Sequence, residues 1–224
     1  MHLAARHPWL ILATWSLVAQ APAGAEPQSA ADVRLRAAEI DFARLAGLTR
    51  SVMRHELGVL LAPASLALSW RTSRPSEETD ADELRVVLLR SSGVGGDQGA
   101  LASTSLGGLV PTVWVYVPSV THALDLELDA VATSLEAQRL VGVALGRVLA
   151  HEVVHLLAPD VEHADTGVMR SRLHAFYLTR GRPALEADCA SALAAGARAW
   201  LAAGGSPRTA SWRGLTTRPA AGAR

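Results

Sequence analysis

His151, Glu152 and His155 stand in the order His-Glu-Val-Val-His. Histidines four residues apart share one face of an α-helix, so their imidazole nitrogens can converge on a single metal ion. Glu152 is turned by about 100° around the helix from His151. It therefore need not compete as a ligand, and its carboxylate can hold a water and accept its proton. A catalytic zinc needs a third protein ligand and one open position. Asp160, Glu162, His163 and the more distant Glu186 are the candidates. His163 is the expected third ligand, because imidazole suits zinc and the seven residues between His155 and His163 leave room for a turn. Asp160 stands too close to the end of the helix, and Glu162 is expected to face solvent or to support a ligand. Zn2+ is the expected cofactor. The alternative is a helix end that merely happens to be rich in histidine. A nearly all-apolar helix would then bear the desolvation of three polar side chains without partners. The sequence holds its own contrast: His55-Glu56-Leu57-Gly58-Val59 begins the same way but lacks the second histidine. His55 is read as a surface or cap residue.

The helix that carries the motif is expected over Asp129–Leu157, where apolar residues recur nearly all round, as in a buried helix. Pro159 ends it. A second helix is expected from Pro183 to about Leu201, with Gly204 and Gly205 after its end. Upstream, Val33, Leu35, Ile40, Phe42, Leu45, Leu48, Val52 and Leu57 recur roughly at helical spacing. One long or two short helices are therefore predicted over Asp32–Leu61, ended near Pro63. Strands are predicted at Ser65–Trp70, at Leu84–Arg90 and in PTVWVYVPSV. The last is bounded by Pro111 and Pro118, which suits an edge position. The long Gly/Ser stretch from Ser91 to Gly108 reads as a loop. It lacks the GK[ST] that a phosphate loop needs. Helix, three strands, long buried helix, irregular segment and helix make an α+β domain.

Half of the 224 residues are hydrophobic and 19% are charged, which describes a globular chain with a sizeable core. Lys+Arg and Asp+Glu balance at 21 each, so no basic excess points to nucleic acid. Residues 1–25 read as a signal peptide, with the apolar run PWLILATWSLVA and cleavage expected after Ala25. A secreted or periplasmic protein is expected, with no membrane association after cleavage. Residues 26–203 are expected to form a single domain and 204–224 a flexible tail. Cys189 is the single cysteine, so no internal disulfide can form. It is read as a small buried hydrophobe.

HEVVHLLAPDVEHADTGVM resembles the zinc site of the metzincin metallopeptidases, HExxHxxGxxH followed by a turn carrying a methionine. It is also similar to a group of bacterial exported proteins with HExGH, a later histidine and GIM. The resemblance implies His151, His155 and His163 as zinc ligands, Glu152 as general base and acid, and Met169 in the methionine turn. It implies a metzincin-like zincin domain, with a small N-terminal sheet, a buried active-site helix and a C-terminal helix. The activity implied is hydrolysis of peptide or protein substrates, with the Val113–Val117 strand as the edge along which substrate pairs. A monomer is expected. Two departures stand out: Ala158 occupies the position of the family's glycine, and the third histidine comes two residues late. Gly167 is expected to help the later turn.

Two other readings stay open. LEADCASA resembles the helix of gluzincins, in which Glu186 would be the third ligand and His163 would support it. Alternatively, zinc staples an exported binding domain without turnover, with His122 or His174 as a fourth ligand.

Overall fold

The computed structural model describes residues 32–91, 100–105, 110–181 and 183–205. The signal-peptide segment, most of the Gly/Ser stretch and the tail beyond residue 205 lie outside them. The elements in chain order are β1 (Val33–Asp41), α1 (Gly47–Leu61), β2 (Leu66–Thr72), β3 (Glu83–Leu89), β4 (Ala102–Ser105) and β5 (Thr112–Tyr116). Then come α2 (Val117–Ala123), α3 (Leu128–Thr133), α4 (Leu135–Leu157), α5 (Ala175–Thr179) and α6 (Ala187–Ala202). The architecture is a mixed five-stranded sheet with helices, in the order β2-β1-β3-β5-β4. All neighbours are parallel except β4, which runs antiparallel to β5.

The helix predicted from Asp32 is corrected here: its first third is β1. Val33, Leu35 and Ala37 are buried while Arg34 and Arg36 are exposed, an alternation of period two. Helix-favouring Ala37-Ala38-Glu39 is overridden by pairing, because β1 is hydrogen-bonded on both sides, to β2 and to β3. Glu39 is fully buried in this strand, and two bonds from Arg54 of α1, 3.1 and 2.9 Å, neutralise it. A carboxylate can be tolerated there only because α1 supplies that partner.

The β4 strand was not expected, and β5 is not at the edge. Pro111 precedes the first residue of β5, and Pro118 falls in the first turn of α2, where its missing N–H is harmless. Neither proline interrupts the ladder, so β5 sits between β3 and β4. The edge strand on this side is β4.

Ser134 separates α3 from α4, its hydroxyl accepting from Ala137 N at 3.2 Å as a helix cap. Of the most apolar stretch of α4, 78% is buried in the domain, as befits a core helix. Leu145, Leu149 and Val153 join Met53 and Leu57 of α1 and Val86, Val113 and Val115 of the sheet in one core. Gly142 and Gly146 let α1 approach closely: a Cβ at either would lie 2.8 Å from a backbone oxygen of α1, that of Thr49 or Met53. The second predicted helix begins later than Pro183. Ala184 holds an extended path because its carbonyl accepts from Val168 N at 3.2 Å, so α6 starts at Ala187. Gly204 and Gly205 end α6 with φ of 65° and 77°.

Candidate metal centre

The last two turns of α4 present His151 and His155 at one end of the core, and the chain after Pro159 folds back to bring His163 to them. The Nε2 atoms are 3.0 Å apart for His151 and His155, 3.1 Å for His155 and His163, and 3.3 Å for His163 and His151. Among the described residues these three form the one group of at least three His, Cys, Asp or Glu whose ligand atoms converge. His151 is buried, His155 half-buried and His163 exposed, so the group opens to solvent on the His163 side.

The turn back needs no glycine at position 158. Ala158 has φ −137° and ψ 65°, outside the left-handed region. Its carbonyl accepts from Val161 N at 3.0 Å, closing a turn around Pro159 and Asp160. Gly167, at φ 71°, is where the chain does require glycine: a Cβ there would meet Ala184 O at 2.6 Å. That turn aims the Val168 carbonyl at His151, whose Nδ1–H donates to it at 2.9 Å. In the neutral ring the proton is thereby placed on Nδ1 and the lone pair on Nε2, facing the other histidines. Met169 is buried directly after, and its carbonyl accepts from Ala164 N at 2.8 Å, which clamps the loop next to His163.

Burial lowers the pKa of His151, with a smaller contribution from His163, against the Val168 hydrogen bond that raises it. Burial also pushes His155 down to about 4, helped by its two histidine neighbours. Burial raises Glu152 to about 7, and the Thr104 hydroxyl of β4 opposes that rise. Burial thus biases His151 and His155 toward the unprotonated form, beside a carboxyl raised to about 7.

The donor set fits zinc. Tetrahedral coordination at about 2.0–2.1 Å places ligand nitrogens roughly 3.3–3.4 Å apart, close to the 3.0–3.3 Å observed. Three nitrogens aimed at one another leave a centre that a cation satisfies. No fourth His, Cys, Asp or Glu joins them among the described residues, which is the open arrangement rather than the closed one.

Glu186 is not part of this group. It precedes α6 and accepts from the Thr166 hydroxyl at 3.1 Å. His122 lies in α2 and His174 just before α5, the latter edge-on to Tyr177 with ring centroids 4.7 Å apart. Cys189 is buried in α6, in the wall of a cavity of about 340 Å³ shared with Val161, Met169 and Glu186. Three participants were missed from sequence: Thr104, the Val168 carbonyl and Arg147. Arg147 is buried on α4, one turn before His151. It donates to Glu56 at 2.8 Å and to the carbonyls of Tyr177, Arg180 and Gly181 at 2.8 to 2.9 Å. An arginine four residues before a site histidine on an apolar helix was the signal available.

No protein-family profile matches the chain, and no curated protein matches it by sequence. Among solved structures it is similar to an archaemetzincin from Methanopyrus kandleri, at 13% identity and a TM-score of 0.50, over 74% of this chain and 96% of that one. It is also similar to a zinc-dependent peptidase from Methanocorpusculum labreanum, at 13% identity and a TM-score of 0.48, over 70% of this chain and 99% of that one. The first likeness shows a shared fold.

Proposed function

We propose that this chain is a zinc-dependent metallopeptidase of metzincin type that hydrolyses peptide bonds. The convergence of the His151, His155 and His163 Nε2 atoms beside Glu152, with no fourth ligand among the described residues, carries the reading. The fold shared with an archaemetzincin supports it.

The three histidines hold the metal in this reading, and the Val168 carbonyl fixes the ring of the first. Zinc, when bound, acidifies water and polarises a carbonyl. Glu152 accepts the proton of the attacking water and delivers it to the leaving amine nitrogen. Its burial favours this, since a base poised near 7 can both take and return a proton near neutral pH. Thr104 steadies the carboxyl from β4. An extended peptide pairs with the outer edge of β4, Ala102–Ser105, which has no strand partner among the described residues, rather than with the Val113–Val117 strand. Met169, buried next to the carbonyl that holds His151, would take the part of the family's turn methionine.

The test is zinc content and peptide hydrolysis of the purified protein, His163→Ala, Glu186→Ala and Glu152→Gln in parallel. About one zinc per chain in all but His163→Ala, with hydrolysis lost in Glu152→Gln, is the expected pattern. Zinc lost in Glu186→Ala but kept in His163→Ala would transfer the third ligand to Glu186. Zinc bound without any hydrolysis would leave only a stapled domain.

A further inference from the structure

A second cavity, of about 500 Å³, opens directly beside the metal site. His151 and Glu152 form part of its lining, Leu101, Ala123 and Val148 give it an apolar surface, and the segment Arg170–His174 makes its far wall. That wall is basic, and Glu152, already assigned to the reacting proton, is the one carboxylate in the lining among the described residues. Like several other arginines, Arg170 and Arg172 have no carboxylate within salt-bridge distance among the described residues, whereas Arg147 of α4 pairs with Glu56. Arg170 is nevertheless held in place: its guanidinium lies 3.9 Å from the centre of the Tyr177 ring, and one nitrogen donates to Asp165 O at 2.6 Å. Tyr177 is in turn pinned through its carbonyl by Arg147. The guanidinium is thus oriented by an aromatic face and a buried arginine while the other donors of its fork have no protein partner among the described residues, and Arg172 stands exposed two residues on.

The geometry points to this cavity as a subsite for a carboxylate-bearing residue of the substrate next to the scissile bond, with Arg170 and Arg172 as its specificity-determining residues. The inference rests on the peptidase reading and adds the class of substrate. The carboxylate belongs either to an Asp or Glu side chain or to the C-terminus of the peptide. The apolar lining accommodates the methylenes of a Glu, and a planar guanidinium fork matches a carboxylate with two bonds. A Lys side chain meets two cations instead, a like-charge juxtaposition that rejects it.

Two measurements separate this inference from the reading beneath it. In the first, short capped peptides with Glu, Ala or Lys at one position, and an all-alanine peptide with free or amidated C-terminus, are titrated into the metal-free full chain. Binding is followed by calorimetry for the unaltered protein, Arg172→Ala and Arg170→Ala. One carboxylate peptide is expected to bind roughly five- to tenfold more tightly than its uncharged counterpart, with the gap closing in both variants and shrinking at high salt. Tighter binding of the Glu peptide assigns the side chain, and tighter binding of the free-carboxyl peptide assigns the terminus. Equal binding of Glu, Ala and Lys peptides, or a preference that survives both substitutions, overturns the inference. In the second, the zinc-loaded protein is given a mixed peptide library, and Arg172→Glu is expected to shift cleavage from acidic to basic neighbours of the cut bond. Cleavage indifferent to charge overturns the subsite and leaves the peptidase standing. No cleavage at all, with Arg-dependent binding of carboxylate peptides intact, overturns the peptidase reading instead.

Discussion

Replacing Gly196 by alanine should destabilise the protein, although alanine is the better helix former. Gly196 lies inside α6, and a Cβ built there would sit 1.8 Å from the Leu157 carbonyl oxygen and 2.7 Å from its carbon. Both obstacles are backbone, in the last residue of α4, so no side chain can swing away. In open surroundings the exchange gains about 0.5–1 kcal/mol. Forcing two helices apart to a normal contact distance costs about 1–3 kcal/mol, as other overpacked cores do. The balance is a loss of roughly 1–2 kcal/mol. At about 2–4 °C per kcal/mol for a domain of this size, Tm should fall by ~2–8 °C. Gly58 of α1 supplies the control of opposite sign, because nothing lies within 4 Å of its added Cβ and the residue is exposed. Gly58→Ala should raise Tm by ~1–4 °C. Thermal and urea unfolding should be measured with a chelator present, so that metal binding does not enter the comparison. Leu157 is two residues from His155, so Gly196→Ala should also weaken zinc binding while Gly58→Ala leaves it unchanged. A rise in Tm for both variants would mean that α6 does not rest on the end of α4.

Gly167→Ala should weaken zinc binding measurably and lower Tm, since it strains a residue at φ 71° and displaces the Val168 carbonyl from His151; loss of a support of this kind costs about 10- to 100-fold in metal affinity, and unchanged affinity would show that the carbonyl does not orient the ring. Glu83 is held below its ordinary pKa chiefly by the Arg71 fork, at 2.8 and 2.7 Å. A depressed carboxyl contributes stability that is present above its unfolded value and is lost as pH falls through the folded one. The Tm difference between the unaltered protein and Glu83→Gln should therefore be constant above pH ~5 and shrink below the ordinary carboxyl value of 4.5; a difference that persists to pH ~2 would mean packing rather than charge. Arg147→Met should leave the far-UV spectrum unchanged but increase amide exchange at Tyr177–Gly181, whose carbonyls it ties down; unaltered exchange there would refute that role.

The convergence of the three histidines could be read in advance because its signal is local. A helix of 3.6 residues per turn places His151 over His155, and Pro159 announces where the chain turns back. His163 followed from donor chemistry and the length of chain available, and the structure brings it within 3.1 Å of His155. The elements missed are those defined by distant partners. β1 looks helical because its Ala-Ala-Glu centre is acceptable only between two neighbouring strands, with Arg54 arriving from α1. β4 is Ala-Ser-Thr-Ser, four small residues with no alternation of polarity, and its pairing with β5 alone makes it a strand. Thr104 was invisible for the same reason. The prolines around β5 pointed to an edge, but they lie outside its ladder and place no restriction on it.

From Val141 onward α4 has no exposed residue and is committed on nearly every side. One stripe is reserved by Gly142 and Gly146 for the backbone of α1, another by Arg147 for the chain before α6, and its tip by the histidines. Such a helix has almost no positions at which a change would be neutral, so sequence drift must collect elsewhere. Apart from Thr104 beside Glu152 and the core contacts of Ala102 and Leu173, the edge strand β4 and the Arg170–His174 wall carry fewer obligations. Changes in those two short segments could therefore accumulate while the helix that carries His151 and His155 stays nearly still.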